Sequence, residues 1–305
     1  MVSSWSNYCR MSIVHFMAFP NTMAGEGPIV ETLRKIAEDP FFGAVEMTWI
    51  KDAKVRREVK EIVDACHLKT AYGAQPVLLL QKLDLNSLIE EERQKAITQM
   101  MACVDEAQEI GAQRVAFLSG KDPGDADRGK ALDLLIDSVK TLCKYAQENG
   151  LSLVLETFDR TIDKKCLIGP SVYAAEFAAA IRQDYPSFGL MYDLSHQPLL
   201  FETPETSLIP LKDYLVHIHV GNGVADPSQA GYGDLHPRFG WPGGSNDVPE
   251  LAVFLKTLFK MGYLAENKTP KPWIGFEVKP QTASETPELI IADSKRVWQE
   301  AWSEI

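Results

Sequence analysis

Four residues suited to gripping a divalent cation stand near the ends of four successive apolar runs in the second half of the chain. They are Glu156 in LSLVLETF, Asp193 in FGLMYDLSH, His219 in LVHIHVGN and Glu277 in WIGFEVKP. Each run predicts a buried strand with its polar residue towards the carboxyl end. An unpaired charge in such a place is costly, so a lone carboxylate there needs a partner or a proton. One cation held by three carboxylates and an imidazole would satisfy all four groups together.

Strand alternation sharpens this reading, because successive side chains point to opposite faces. Glu156 shares a side with Ser152 and Val154, opposite Leu153, Leu155 and Thr157. Asp193 shares a side with Gly189 and Met191, opposite Leu190 and Tyr192. His219 goes with His217, opposite Val216, Ile218 and Val220, and Glu277 goes with Gly275, opposite Ile274, Phe276 and Val278. A barrel turns one parity to its helices and the other to its lumen. Sending the bulky aliphatic set outward sends all four candidates inward, towards one point. An H-x-H alone is a weak signal, and the weight lies in four strands agreeing.

The elements that position these residues follow from the alternation of short apolar runs with longer amphipathic stretches. Strands are expected at 13–19, 44–49, 68–74, 114–118, 152–157, 189–193, 216–220 and 274–278. Helices are expected at 28–38, 52–66, 87–110, 125–149, 171–185, 204–213, 248–261 and 285–302. Eight unbroken strand–helix units predict a parallel sheet closed as a (β/α)₈ TIM barrel, one α/β domain over residues 1–305. No glycine-rich phosphate loop follows the first strand, which argues against a dinucleotide-binding fold. Gly111, Gly150 and Gly262 stand where helices should stop, and Pro28 and Pro204 where first turns tolerate proline. Between His219 and the seventh helix, residues 221–247 form a far longer loop than usual, containing Asp234, His236, Arg238 and Trp241. Loops after strands build the active face of such barrels, so this one is expected to wall or cover the site.

Charge and composition narrow the function classes. A net charge of −11 disfavours a nucleic-acid groove and anionic membrane surfaces, both of which need a basic face. No apolar run approaches the roughly 20 residues of a membrane span, and MVSSWSNYCR lacks a signal-peptide core. Cys9, Cys66, Cys103, Cys143 and Cys166 are odd in number and scattered, as in a reducing compartment. A cytoplasmic protein is expected.

Each candidate also has a purely structural alternative. Glu156 could pair with an interior lysine, Asp193 could cap the next turn through Ser195, His219 could be a satisfied core histidine, and Glu277 could pair with Lys279.

With Glu156, the D-x-x-H of Asp193–His196, the H-x-H of His217–His219 and Glu277 in place, the chain resembles the xylose-isomerase-like TIM-barrel superfamily of sugar isomerases and epimerases, over its whole length. The resemblance implies one divalent cation, foremost Mn²⁺, with Mg²⁺, Co²⁺ or Zn²⁺ as alternatives, bound by Glu156, Asp193, His219 and Glu277. It implies that Glu156 and Glu277 are the catalytic acid and base and that His196 contacts substrate. It marks Glu46, in GAVEMTW, as an acidic position at the barrel mouth. His217, Arg238 and Trp241 complete the expected substrate contacts. Ketose 3-epimerases carry an acid six residues after the first ligand and an arginine six after the histidine ligand, and here these places hold Ile162 and Ala225. The loop motif GDLHPRFGWP and the EVKP ending are also similar to catalytic subunits of bacterial C-glycoside-cleaving enzymes.

The chemistry implied is proton abstraction beside a carbonyl, with fixed positive charge for the oxygen that becomes negative. Returning the proton isomerises or epimerises a sugar or sugar derivative. Expelling a group from the next carbon makes a lyase acting on a 3-keto-glycoside, with a partner subunit. Trp49, Tyr72, Phe158 and Trp241 are aromatic candidates for an apolar substrate face. Two other readings are a metal-dependent endonuclease barrel, disfavoured by acidity and by only six histidines, and a non-catalytic sugar-binding barrel. A homo-oligomer is expected, or a hetero-oligomer for the lyase.

Overall fold

In the computed structural model, which describes residues 4–305, the predicted strands curl into one closed sheet. The strands are β1 (Arg10–Ile13), β2 (Ala44–Met47), β3 (Lys69–Gly73), β4 (Arg114–Leu118), β5 (Ser152–Glu156), β6 (Gly189–Asp193), β7 (Leu215–Gly221) and β8 (Trp273–Glu277). Every pairing is parallel, in the order β1-β8-β7-β6-β5-β4-β3-β2. The two end strands meet, since the Gly43 amide donates to the Met11 carbonyl at 2.9 Å and Val14 bridges Glu46. Closure removes the exposed sheet edges, and the architecture is the predicted TIM barrel.

Helices wrap the outside: α1 (His15–Ala18), α2 (Ile29–Ala37), α3 (Ala53–Ala65), α4 (Gln75–Leu80), α5 (Glu90–Glu109), α6 (Arg128–Glu148), α7 (Ser171–Arg182), α8 (Pro204–Leu211), α9 (Val248–Lys260) and α10 (Pro287–Ser303). α2 shows why they stay there: it buries Ile29, Thr32, Leu33 and Ile36 on one stripe. Capping boxes at Thr203 and Asp247 start α8 and α9. Gly150 and Gly262 follow α6 and α9 at φ +73° and +77°, a left-handed backbone that glycine adopts at no steric cost. Among the described residues, no helix is long and apolar enough to cross a membrane. All five cysteines are free, and only Cys66 is exposed.

The strand parities divide as expected. Leu153, Leu155, Leu190, Tyr192, Ile218, Val220, Ile274 and Phe276 belong to the core between sheet and helices. Ala44, Ala71 and Trp273 form one packed group inside the lumen, and Ala116, Val154 and Met191 another. Val216 departs from its expected side. Leu190 pairs with Leu215 but Met191 pairs with His217, so β7 carries one extra residue at a bulge. Val216 therefore packs inward beside Val154 and Met191. It takes the room left by Gly189, where a Cβ would lie 2.2 Å from Val216 Cγ2.

Two more local corrections bear on the site. The strand expected at 13–19 ends at Ile13, and residues 15–18 turn into α1. The run SIVHFMAF is apolar throughout, and such a run does not distinguish strand from buried helix. His15 is buried there, its Nε2 2.7 Å from Thr32 Oγ1. The second correction is α4, an additional short helix after β3 with Pro76 in its first turn.

Candidate metal centre

The four expected ligands converge. Glu156, Asp193 and Glu277 are the last residues of β5, β6 and β8, and His219 lies two residues before the end of β7. One donor atom from each comes within 4.8 Å of the others, and all four residues are buried. His219 Nδ1 lies 2.6 Å from Glu277 Oε2 and 3.6 Å from Glu156 Oε1. Glu156 Oε1, Asp193 Oδ2, His219 Nδ1 and Glu277 Oε2 make no contact of hydrogen-bond geometry among the described residues, the short His219–Glu277 approach included. Buried polar atoms are rarely left so, and here four such atoms share one place. Three carboxylates and one imidazole form a donor set that fits a divalent cation such as Mn²⁺, Mg²⁺ or Zn²⁺.

The remaining atom of each of three ligands is tethered, which fixes where the free atom points. Gln75 Nε2, at the start of α4, donates to Glu156 Oε2 at 2.7 Å. The Ser195 amide donates to Asp193 Oδ1 at 2.6 Å, so the turn-capping alternative is real but uses one oxygen only. His219 Nε2 lies 2.8 Å from Glu46 Oε2. Glu46 also receives the Ser12 hydroxyl at 2.7 Å and faces His217 Nε2 at 3.0 Å, both through Oε1. Burial alone would raise the Glu46 carboxyl, but His217 and His219 hold it well below the usual carboxylate range. An ionised Glu46 keeps the proton on His219 Nε2 and leaves Nδ1 for a cation.

The local field asks for positive charge. Burial would lower the His219 imidazole, yet Glu46 and Glu277 hold it well above its ordinary value. Burial pushes Glu277 up, against the pull of His236 and His219, and nearby Glu156 adds to the rise. A proton and a metal ion thus compete for the same spot.

A second group of donors adjoins the first. Asp193, His196 and His236 also bring one ligand atom each within 4.8 Å of one another. Asp234 Oδ1 sits 2.7 Å from His236 Nε2 and 3.1 Å from His196 Nε2. Burial would lower His236, but Asp234 and Glu277 carry it to about 9. Asp234 and His236 come from the 221–247 loop, which therefore forms a wall of the site. The loop is pinned at its base by Asn246 Nδ2, which donates to the carbonyls of Leu194 and Gly221. In the sequence only membership of the long loop marks this pair, and nothing there fixes where the loop carries it.

The other expected contacts are placed differently. His196 is wholly buried behind Phe158, with its Nδ1 donating to the Thr157 carbonyl at 2.8 Å. His217 lies beneath the centre, between Glu46 and the Trp273 ring. Glu46 supports two imidazoles and also lines the cavity. Arg238 reaches Glu285 at 3.2 Å and the Phe239 carbonyl at 3.0 Å, and Trp241 donates to the Ala230 carbonyl at 3.3 Å. Neither lines the cavity, because the loop turns away beyond His236. Of the aromatic candidates only Phe158 lines it. Trp49 donates to the Met23 carbonyl, and Tyr72 points to Glu106 in the helix layer. Among the described residues Glu277 makes no ion pair with Lys279, and Glu156 none with a lysine.

A cavity of about 260 Å³ opens above the donors at the carboxyl ends of the strands. Glu156, His219, Glu277, Asp234 and His236 line it together with Glu46 and Gln75 of the first half of the barrel, alongside apolar residues such as Phe16, Met17 and Leu79.

The model of one protein family, described as xylose isomerase-like TIM barrel, matches residues 35–301. The chain belongs to that family. No curated protein shows significant sequence similarity to it. Among solved structures, an L-ribulose 3-epimerase superposes with a TM-score of 0.73 at 14% identity, covering 97% of this chain and 95% of that one. An IolI protein with a bound zinc atom gives 0.74 at 14% identity, covering 97% and 98%. A 3-keto-D-glucoside 4-epimerase from E. coli gives 0.66 at 16% identity, covering 95% and 99%. At these identities the likeness is one of fold. Within this xylose isomerase-like barrel, the buried His/Glu/Asp clusters have the character of a metal site.

Proposed function

We propose that the chain is a divalent-cation-dependent sugar isomerase or epimerase, with Mn²⁺ the expected ion. The observation that carries this reading is the convergence of four buried donor atoms, none with a well-formed hydrogen bond, at the mouth of the barrel. A cation held there by Glu156, Asp193, His219 and Glu277 would supply positive charge for a substrate carbonyl oxygen.

The chain's own residues then divide the work. Glu156 and Glu277 both line the cavity and come from strands on different sides of His219. One removes the proton and the other returns it. Gln75 fixes Glu156 through Oε2, and Glu46 fixes His219 through Nε2. Asp193 is a ligand without cavity surface. The relatives named as sugar epimerases support the reading at the level of the family.

The test is hydrogen exchange into a ketose or keto-glycoside in D₂O, followed by NMR. The protein loaded with Mn²⁺ should place deuterium on the carbon beside the carbonyl, and chelation should stop it. Glu156→Gln and Glu277→Gln should each slow exchange by about 10²–10⁴-fold. A fully active Glu277→Gln variant overturns the acid–base assignment. Product analysis in the same tube separates return of the proton from expulsion of a neighbouring group.

A further inference from the structure

The end of the barrel opposite the metal donors carries cations that the proposed chemistry does not use. Arg10, Lys69, Arg114 and Ser152 are the first residues of β1, β3, β4 and β5. Each shares its side of the strand with a lumen residue two positions on. Ser12, whose hydroxyl reaches Glu46, follows Arg10 in this way, Ala71 follows Lys69, Ala116 follows Arg114 and Val154 follows Ser152. All four therefore stand on the inward side of the barrel floor. Lys69 is exposed, and the other three are half-buried.

Among the described residues none of these three cations pairs with a carboxylate, although acids outnumber bases in the chain by 42 to 31. Arg56, Arg93, Arg128 and Lys295, by contrast, all pair with acids. Arg114 gives Nη1 to the Val216 carbonyl at 3.0 Å and lays its guanidinium 4.6 Å from the centre of the Trp273 ring. Its Nε is buried without a hydrogen bond, and Nη2 has none among the described residues. Arg10 rests its stem on Gly43, and its guanidinium makes no hydrogen bond among the described residues. Burial lowers both guanidinium groups from their ordinary value. Arg10 adds to this at Arg114, against the pull of Tyr263 and Glu46. Like charges gathered in a half-buried place are costly, and an anion bound among them removes the cost.

We propose that the barrel floor is a binding site for a small phosphate-class oxyanion, held by Arg10, Lys69 and Arg114, with the Ser152 hydroxyl as a further donor. Arginine forks match the paired oxygens of such an anion. The inside of an eight-stranded barrel is only wide enough for its own side chains, so the floor admits a small ion or a single phosphate group rather than a polymer. The net charge of −11 likewise disfavours nucleic acid. The site uses none of the metal donors and stands apart from the sugar reading.

The test is calorimetric titration of the metal-free full chain with inorganic phosphate and with phenyl phosphate, so that no Mn²⁺ attracts either probe. Saturable binding of one anion per chain is expected, weakening as sodium chloride is raised. Arg10→Met and Lys69→Met should each weaken it about tenfold or more, the cost of losing a hydrogen bond to a charged partner. Neither side chain makes a hydrogen bond among the described residues, so both variants should fold. In ¹⁵N NMR the Arg114 Nε–H resonance should move along the titration. Equal affinity for the two probes supports the site with free phosphate as its ligand, and tighter binding of the ester supports it with a phosphorylated molecule. No saturable binding of either probe, or affinity unchanged in both variants, overturns the site.

Discussion

Glu46 Oε2 faces His219 Nε2 at 2.8 Å across the lumen, and this contact decides which nitrogen of the ring meets the ligand cluster. Its other oxygen takes the Ser12 hydroxyl and faces His217. Glu46→Gln keeps the shape but removes the charge that holds the proton on Nε2. Cation affinity should fall about 10–100-fold, the usual cost of losing such a support. Calorimetric titration with Mn²⁺ reads this directly, and ¹⁵N NMR of the imidazole should show a mixture of tautomers. Unchanged affinity would show that packing alone orients the ring.

Gly275 makes that support possible. A Cβ there would lie 2.3 Å from Glu46 Oε1 and 2.7 Å from Ser12 Oγ. Gly275→Ala must displace the carboxylate from a tightly filled lumen. We expect a loss of about 1–3 kcal/mol in stability by chemical denaturation, together with weaker Mn²⁺ binding. Normal metal affinity in this variant would detach Glu46 from the metal centre.

Convergent carboxylates should make the metal-free protein less stable than its packing warrants. Excess Mn²⁺, at a hundredfold over its dissociation constant, should add about 2.7 kcal/mol by linkage. Asp193→Asn should raise the melting temperature of chelated protein and shrink the increment from added metal. Thermal scans of both proteins, with EDTA and with Mn²⁺, give the four numbers needed.

Stoichiometry tests the division between the two donor groups. Elemental analysis after dialysis against Mn²⁺ should give one ion per chain, held by Glu156, Asp193, His219 and Glu277. His236→Ala should leave that ion bound. Two ions in the parent and one in the variant would instead assign a cation to Asp193, His196 and His236.

Much of this was legible in the sequence, for a physical reason. A strand's side-chain period is two, so β5, β6 and β8 declare which side Glu156, Asp193 and Glu277 occupy. The role of Glu46 was not legible, because it is set by side chains meeting across the closed barrel. Asp234 and His236 sit in a loop without a period, and their place depends on how Asn246 pins it. Arg238 and Trp241 were nominated by residue type and loop membership alone, and the chain turns them towards Glu285 and Ala230. α1 and α4 were hidden in runs too uniformly apolar to show a period.

Away from the site, Glu106 on α5 should make stability depend on pH. It accepts the Ile50 amide at 2.6 Å, and burial raises it from an ordinary 4.5 to about 7, against the pull of that bond and Arg56. Between those two values the folded chain holds the proton and the unfolded chain releases it. The favourable contribution is therefore complete below about pH 4.5 and disappears as pH rises through about 7. Glu106→Gln should flatten this slope, with an effect on the order of 1 kcal/mol after solvent screening. Denaturation midpoints at pH 5 to 8 provide the check.

The extra residue in β7 acts as a phase shift. Below Val216 the strand keeps step with β6, and above it the alternation resumes one residue late, which is what turns both His217 and His219 inward beside Met191 and Asp193. Pairing Val216 with Met191 in a regular strand would swing the two rings out among the helices, whereas deleting Val216 would remove the bulge and keep them inward. Anyone grafting these four staves onto a new scaffold must therefore either keep Val216 with the room that Gly189 leaves for it or leave Val216 out altogether.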